Sequence, residues 1–295
     1  MIKLHELSNF LEMICPLELA EDWDNVGLIL GDRNSNLTNV MTCLTITLNV
    51  VEEAIQNKTD LIVSHHPFPF HASKKWTTDS LNGKILLSLI ESKIAVYSPH
   101  TAHDSALFGV NRQIAELLNL DNIRPLFPYK QKSSELIAEI SMLSGIKQFS
   151  EKGTQNLPCS SSQANFPLGT GRIGNLNTPL FLADFVFFVK QKLNVSTIQW
   201  VGKEDQMIQT VAVGCGSAAE FIDQAIEAKA DAFLVGEARF HDYLTAEQNG
   251  LGLILPGHFA SEQFAMKTLA DRIRAHFPSL NVWLSKSERD PVHFC

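Results

Sequence analysis

The chain has 295 residues, 45% of them hydrophobic, and a mean hydropathy near zero, which suits one large domain or two modest ones with proper cores. A formal net charge of -8 and the lack of any long Lys/Arg run argue against a broad nucleic-acid or anionic-membrane surface. No stretch approaches the ~18 uninterrupted apolar residues of a membrane span. The opening segment lacks a secretory signal's apolar core, so a cytoplasmic location is expected.

Leu4, Leu7, Phe10, Leu11 and Ile14 recur at helical spacing and predict an amphipathic helix over residues 3–14. Glu21-Asp-Trp-Asp-Asn-Val-Gly27 follows as an acidic loop entering a short apolar strand. A strand over 40–47, a helix over 50–57 and a buried strand at 61–63 form a βαβ unit, whose natural outcome is a parallel sheet. A helix over 80–92, a strand at 94–97 and a helix over 111–118 continue the pattern. Residues 125–200 are less regular, with polar loops at 131–134 and 154–165, a strand at 136–142 and a helix over 182–193. A strand at 210–214 and a helix over 218–228 restore the α/β alternation.

An internal echo organises these elements. Ala54, Ile55, Lys58 and Asp60 match Ala225, Ile226, Lys229 and Asp231 in identity and spacing. Each copy is followed later by a short apolar strand and then by a histidine with a carboxylate four residues on: His100 with Asp104, and His258 with Glu262. The expected fold is α/β, with two similar half-domains facing each other across a metal-containing cleft. Residues 1–125 form the first half, with 263–295 packing on it; 126–205 form an α+β connecting region, and 206–295 the second half.

Ligand-type residues cluster at the ends of these strands, where open α/β sheets bind their ligands. His65 and His66 end the strand at 61–63. Adjacent residues point to opposite faces, so the pair chelates one ion only if the backbone bends at Pro67; otherwise it serves two neighbouring ions. With Asp104, His258 and Glu262 they make a set of three imidazoles and two carboxylates, suited to zinc, manganese or iron(II). The two carboxylates suit the bridging of paired ions. The competing reading of His258 and Glu262 is a partly exposed ion pair on a helix face. His100 is a candidate further ligand or outer partner, and His103 can point either way. Glycines 169, 171 and 174 read as a tight turn, with Arg172 free to face an anion. The turn at 213–217 either cradles an anion at a helix N-terminus or is a plain βα turn. Trp23, Asp24, Glu237 and His241 are candidate cleft-lining residues, although His241 reads equally as a helix residue. The five cysteines form no CxxC pair and read as reduced thiols.

Glu21-Asp-Trp-Asp-Asn-Val-Gly27, Ser64-His-His-Pro67, His100-Thr-x-x-Asp104, Gly169-x-Gly-Arg-x-Gly174, Gly214-x-Gly-Ser217, Gly257-His-x-x-Ser-Glu262 and Asp290-Pro291 occur in this order. Together they resemble the NIF-three-like family, which includes the bacterial GTP cyclohydrolase 1 type 2 homologues, over nearly the whole chain. The resemblance implies a dinuclear site of zinc, iron or manganese on His65, His66, Asp104, His258 and Glu262. It also implies a ring-shaped homohexamer built as a trimer of dimers. Longer members carry an inserted middle domain, for which this chain is too short. Thr45 stands where an Asp is expected. The expected function is that of a metal-dependent hydrolase-like enzyme acting on a nucleotide, with metal-activated water as nucleophile and Glu262 or His100 assisting proton transfer. The alternatives are a non-enzymatic metal-binding or metal-handling protein, and a metal that only staples the halves together.

Overall fold

The computed structural model describes residues 1–129 and 168–294. In chain order the first part forms α1 (Leu4–Ile14), β1 (Gly27–Leu30), β2 (Asn39–Cys43), α2 (Leu48–Gln56), β3 (Leu61–Ser64), α3 (Leu81–Glu91), β4 (Ala95–Ser98), α4 (His100–Ser105) and α5 (Val110–Leu117). It continues through β5 (Leu120–Arg124), β6 (Arg172–Phe181), α6 (Leu182–Leu193), β7 (Gln199–Val201), β8 (Met207–Gly214), α7 (Ile222–Glu227), β9 (Ala232–Val235), α8 (Phe240–Gln248), β10 (Gly252–Leu255), α9 (His258–His276) and β11 (Asn281–Leu284).

Two mixed sheets result. The first has the order β11-β2-β3-β4-β1, parallel except for the antiparallel edge strand β1. The second has the order β7-β10-β9-β8-β6-β5, in which β8, β9 and β10 are parallel and the rest antiparallel. Strand alternation supplies two cores to each sheet. In the first, Val40, Leu61, Val63 and Tyr97 pack with α1, while Met41, Ile62 and Val96 pack with α2 and α3. In the second, Val211, Leu234 and Ile254 pack with α5 and α6, while Ala212, Phe233 and Leu253 pack with α7 and α8.

Helix α9 belongs to both. Ala265 enters the core of the second sheet, and Met266, Leu269, Ala270 and Ile273 enter that of the first. The Thr42 hydroxyl of β2 donates to the Met266 carbonyl at 3.1 Å, which seats the helix on the first sheet. No helix among the described residues is long and apolar enough to cross a membrane.

The echoed residues have matching jobs. Asp60 Oδ2 accepts the amides of Thr38 and Asn39 at 2.7 and 2.8 Å, and Asp231 Oδ2 accepts those of Gln209 and Thr210 at 3.0 and 2.7 Å. Lys58 and Lys229 both take left-handed φ, at 53° and 57°, where helices α2 and α7 give way to the next strand. In each half, the aspartate just before one strand accepts two successive amides just ahead of where its parallel neighbour begins to pair with it.

Several elements differ from expectation. Strand β5, within the expected first half, joins β6 at the edge of the second sheet, while β11 lies in the first sheet, the half on which 263–295 is expected to pack. The strand expected over 40–47 stops at Cys43, because the Leu44 and Thr45 amides turn to the Glu288 carboxylate and Thr47 caps α2. The helix expected over 218–228 opens with a 3-10 turn at Ala218–Phe221, a common form for a helix N-terminus. The strand expected at 136–142 and the loops at 131–134 and 154–165 lie outside the described residues.

Candidate metal centre

Two strands of the first sheet and one of the second end at one cleft. β3 delivers His65 and His66, β4 runs into α4 with His100 and Asp104, and β10 runs into α9 with His258 and Glu262. Pairing continues past β3: His65 N–H donates to the Cys43 carbonyl at 3.0 Å and His66 N–H to that of Leu44 at 2.9 Å. Ser98 Oγ–H donates to the His65 carbonyl at 2.5 Å, and Ser64 Oγ–H to that of His66 at 2.9 Å. Both backbones are thus pinned, while the rings diverge by 52° with centroids 5.2 Å apart.

The rings face different partners. His65 Nε2 lies 3.5 Å from Asp104 Oδ1 and 3.8 Å from Glu262 Oε1. His66 Nε2 lies 3.1 Å from Glu262 Oε2 and 3.2 Å from His258 Nε2, and the latter is 3.0 Å from the same Glu262 oxygen. Glu262 is buried, with only 4% of its side chain exposed, so it is not half of a surface ion pair. The remaining nitrogens are held from outside: His66 Nδ1 by Thr45 Oγ1 at 2.7 Å, His258 Nδ1 by Glu237 at 3.0 Å, and His100 Nδ1 by Asp24 at 2.8 Å.

These residues fit a metal ion. The donor atoms of His66, His258 and Glu262 lie within 4.8 Å of one another, as do those of His65, His66 and His100. His65 Nε2 and Asp104 Oδ1 are buried without a hydrogen-bond partner among the described residues. Their 3.5 Å separation is too long for a hydrogen bond. It suits two ligands each about 2.0–2.2 Å from a shared ion.

The charges argue likewise. Burial works to raise the Glu262 pKa, but electrostatic attraction to the neighbouring imidazoles of His65 and His258 and the hydrogen bonds from His258 and His66 outweigh it and hold the carboxyl well below the usual range. Burial, then the charge of Glu262, pushes Asp104 up to about 7. A cation between two crowded carboxylates relieves that repulsion. His258 resists protonation through burial, yet the hydrogen bond and charge of Glu262, and then those of Glu237, raise it to about 9. Burial keeps His65 neutral, the form a metal ligand requires.

The cleft forms a cavity of about 1050 Å³ lined from both halves, by Trp23, Phe70, His66, His100 and Asp104 on one side and Cys215, Phe221, His258 and Glu262 on the other. Asp24 stands behind His100, and its carboxylate also accepts the Thr101 amide and hydroxyl. Trp23 is 62% exposed at the mouth, its ring 6.1 Å from His100 and 6.2 Å from Phe70.

Three candidates lie elsewhere. Arg172 is buried, and its guanidinium donates to the carbonyls of Gly169, Gly171, Ser105 and Ala106, so it faces no anion; it ties the glycine turn to α4. His241 is an exposed residue of α8 outside the cavity. His103 packs behind His65, ring centroids 6.0 Å apart, where burial and the charge of Arg272 lower its pKa to about 3.

The turn at 213–217 serves the centre in another way than by holding an anion. Gly216 comes so close to Glu262 that a Cβ there would sit 2.0 Å from Oε1, which accounts for glycine in the Gly214-x-Gly-Ser217 turn. The amides of Cys215 and Gly216 are taken by Asn111 Oδ1 and Ser261 Oγ at 2.7 and 2.9 Å, so this is a structural βα turn and not an anion cradle.

Fold and site together define a class: a two-sheet α/β protein that gathers imidazoles and carboxylates of metal-ligand type at converging strand ends. The profile of the Duf34/NIF3 (NGG1p interacting factor 3) family matches residues 2–291, and the chain belongs to that family. A GTP cyclohydrolase 1 type 2 homolog from Clostridium acetobutylicum is 28% identical over 297 residues, covering 99% of both chains. Human NIF3-like protein 1 is 28% identical over 348 residues, covering 98% of this chain and 92% of its own. The crystal structure of a Bacillus cereus protein related to NIF3 superposes with a TM-score of 0.84 at 25% identity, covering 100% of this chain and 99% of the other.

Proposed function

We propose that this protein is a dinuclear metal-dependent hydrolase acting on a nucleotide bound in the cleft. The observation that carries the reading is the division of Glu262, whose Oε1 faces His65 and whose Oε2 faces His66 and His258. In this reading His65 and Asp104 would hold one ion and His66 and His258 the other, with one Glu262 oxygen turned toward each pair. Bound there, the ions would supply Lewis acidity to the reaction.

The protein's own groups supply the rest. His100, with Nδ1 taken by Asp24, has only Nε2 left for the cavity and is the proton carrier. Burial works to raise the Asp24 pKa, but the bonds from His100 and Thr101 outweigh it and keep the carboxylate ionised as the ring's partner. Trp23 and Phe70 offer ring faces at the mouth against which a nucleobase stacks. The name of the Clostridium relative supports a nucleotide as substrate. The homohexamer belongs to the same reading.

The test is metal content by plasma mass spectrometry for wild type and His65→Ala, followed by hydrolysis assays on a nucleotide panel with the metal found. Two equivalents in wild type, loss in the variant and metal-dependent turnover are expected. Full metal loading with no turnover across the panel would leave a metal-binding protein without hydrolase activity.

A further inference from the structure

The chain beyond β11 runs along the carboxyl edge of the first sheet. The buried carboxylate of Glu53 on α2 moors it by accepting the Ser285 hydroxyl at 2.7 Å and the amides of Lys286 and Ser287 at 3.0 and 2.9 Å. The next residue, Glu288, turns inward. Its Oε2 accepts the Leu44 amide at 2.8 Å and its Oε1 the Thr45 amide at 2.6 Å.

Those amides lie just past the end of β2, in the segment whose opposite edge pairs with the histidines through His65 N–H to Cys43 O and His66 N–H to Leu44 O. The segment is therefore gripped from both sides. Thr45 is its last gripped residue, and its Oγ1 stands 2.7 Å from His66 Nδ1. A neutral histidine can present a lone pair on Nε2 only if its proton sits on Nδ1, and an acceptor on Nδ1 fixes both tautomer and ring angle.

We infer that Glu288 is a positioning residue of the metal centre: acting through Thr45, it sets the ring of His66 and so tunes the ion held by His66, His258 and Glu262. The His65 ring has no such side-chain partner among the described residues: Glu288 reaches that residue only through the Cys43–Leu44 peptide, which accepts the His65 backbone amide. This rests on the dinuclear reading above. It also gives the position where the family pattern leads one to expect an aspartate a definite role here. The Thr45 hydroxyl does the orienting, and the carboxylate charge sits one step further out, on Glu288.

The test titrates metal-free wild type, Thr45→Val, Thr45→Ser and Glu288→Gln with Zn²⁺ against a chromophoric chelator, resolving the two binding steps, with circular dichroism as the check on folding. Thr45→Val should weaken one step roughly 10- to 100-fold and leave the other unchanged, the usual cost of losing an outer partner of a ligand. Thr45→Ser, which keeps the hydroxyl, should restore wild-type affinity. Glu288→Gln cannot accept both amides and should weaken the same step by about 10-fold. A folded Glu288→Gln that binds both ions like wild type, or whose two steps weaken equally, overturns the positioning role and leaves a purely structural strap. Unaltered binding by Thr45→Val overturns it independently of any folding defect in the Glu288 variant. A wild type that takes up no zinc sinks the dinuclear reading itself, and this inference with it.

Discussion

Glu262 Oε2 stands 3.0 Å from His258 Nε2, one helical turn earlier on α9, while its other oxygen reaches toward His65 on the opposite sheet. One carboxylate thus joins side chains delivered by two sheets. Glu262→Gln keeps the volume but removes the charge that both histidine groups share. It should fold, as judged by circular dichroism, and bind zinc at least about 100-fold more weakly, since even an outer partner costs 10- to 100-fold. Undiminished affinity would show that the carboxylate bridges nothing.

Metal uptake must displace protons from Asp104, raised to about 7, and from His258, raised to about 9. Apparent affinity should therefore climb as pH rises through those values, in competition titrations at fixed ionic strength. The metal-free protein should run the other way. The raised His258 pKa contributes stability that is full below its ordinary value of 6.5 and is lost as pH rises through about 9. Asp104 adds a loss of the same sign between 3.8 and about 7. His65 and His103, held neutral by burial, oppose the Asp104 loss below pH 6.5, so calorimetry should show the metal-free melting temperature falling between about pH 7 and 9.

Asp24→Asn tests the proton carrier without touching a proposed ligand. Turnover should fall roughly 100-fold, the contribution of a positioned acid–base group, with bound metal unchanged. Equal turnover in the variant would remove His100 from the chemistry.

Gly216→Ala should damage the centre from behind. Its φ of +60° costs an L residue about 1–2 kcal/mol, and the new Cβ would press on Glu262. Reduced thermal stability together with weakened zinc binding is the expected outcome; lost stability with intact binding would place the cost in the backbone alone.

Asp60→Ala and Asp231→Ala should each cost about 1 kcal/mol in denaturant unfolding, because each leaves two backbone amides, one of them part-buried, without their acceptor. Matching losses are the signature of one device used twice; a neutral result in one half would break the equivalence.

Much of this was legible in the residues. Helical spacing places α1, α3, α5 and α6 within a residue or two, because a buried stripe must recur with the helix period. The echo of Asp60 and Asp231 is visible because the same amides must be capped in both halves. His65, His66, His100, Asp104, His258 and Glu262 stand at strand ends by sequence alone, and the structure brings all six to one cleft. That the family is Duf34/NIF3 was also legible, since its motifs occur in order along the chain.

What only tertiary structure decided is which elements meet. Sequence cannot say that β11 pairs with β2, or that β5 joins the second sheet, because strand partners are chosen by packing across the whole chain. Arg172 read as free to face an anion until four carbonyls closed on its guanidinium. Thr45 and Glu288 looked unrelated until the end of β2 brought one hydroxyl to His66 and one carboxylate to two amides. Local periodicity records which face of an element is buried; the identity of the neighbour across that face exists only once the chain has folded.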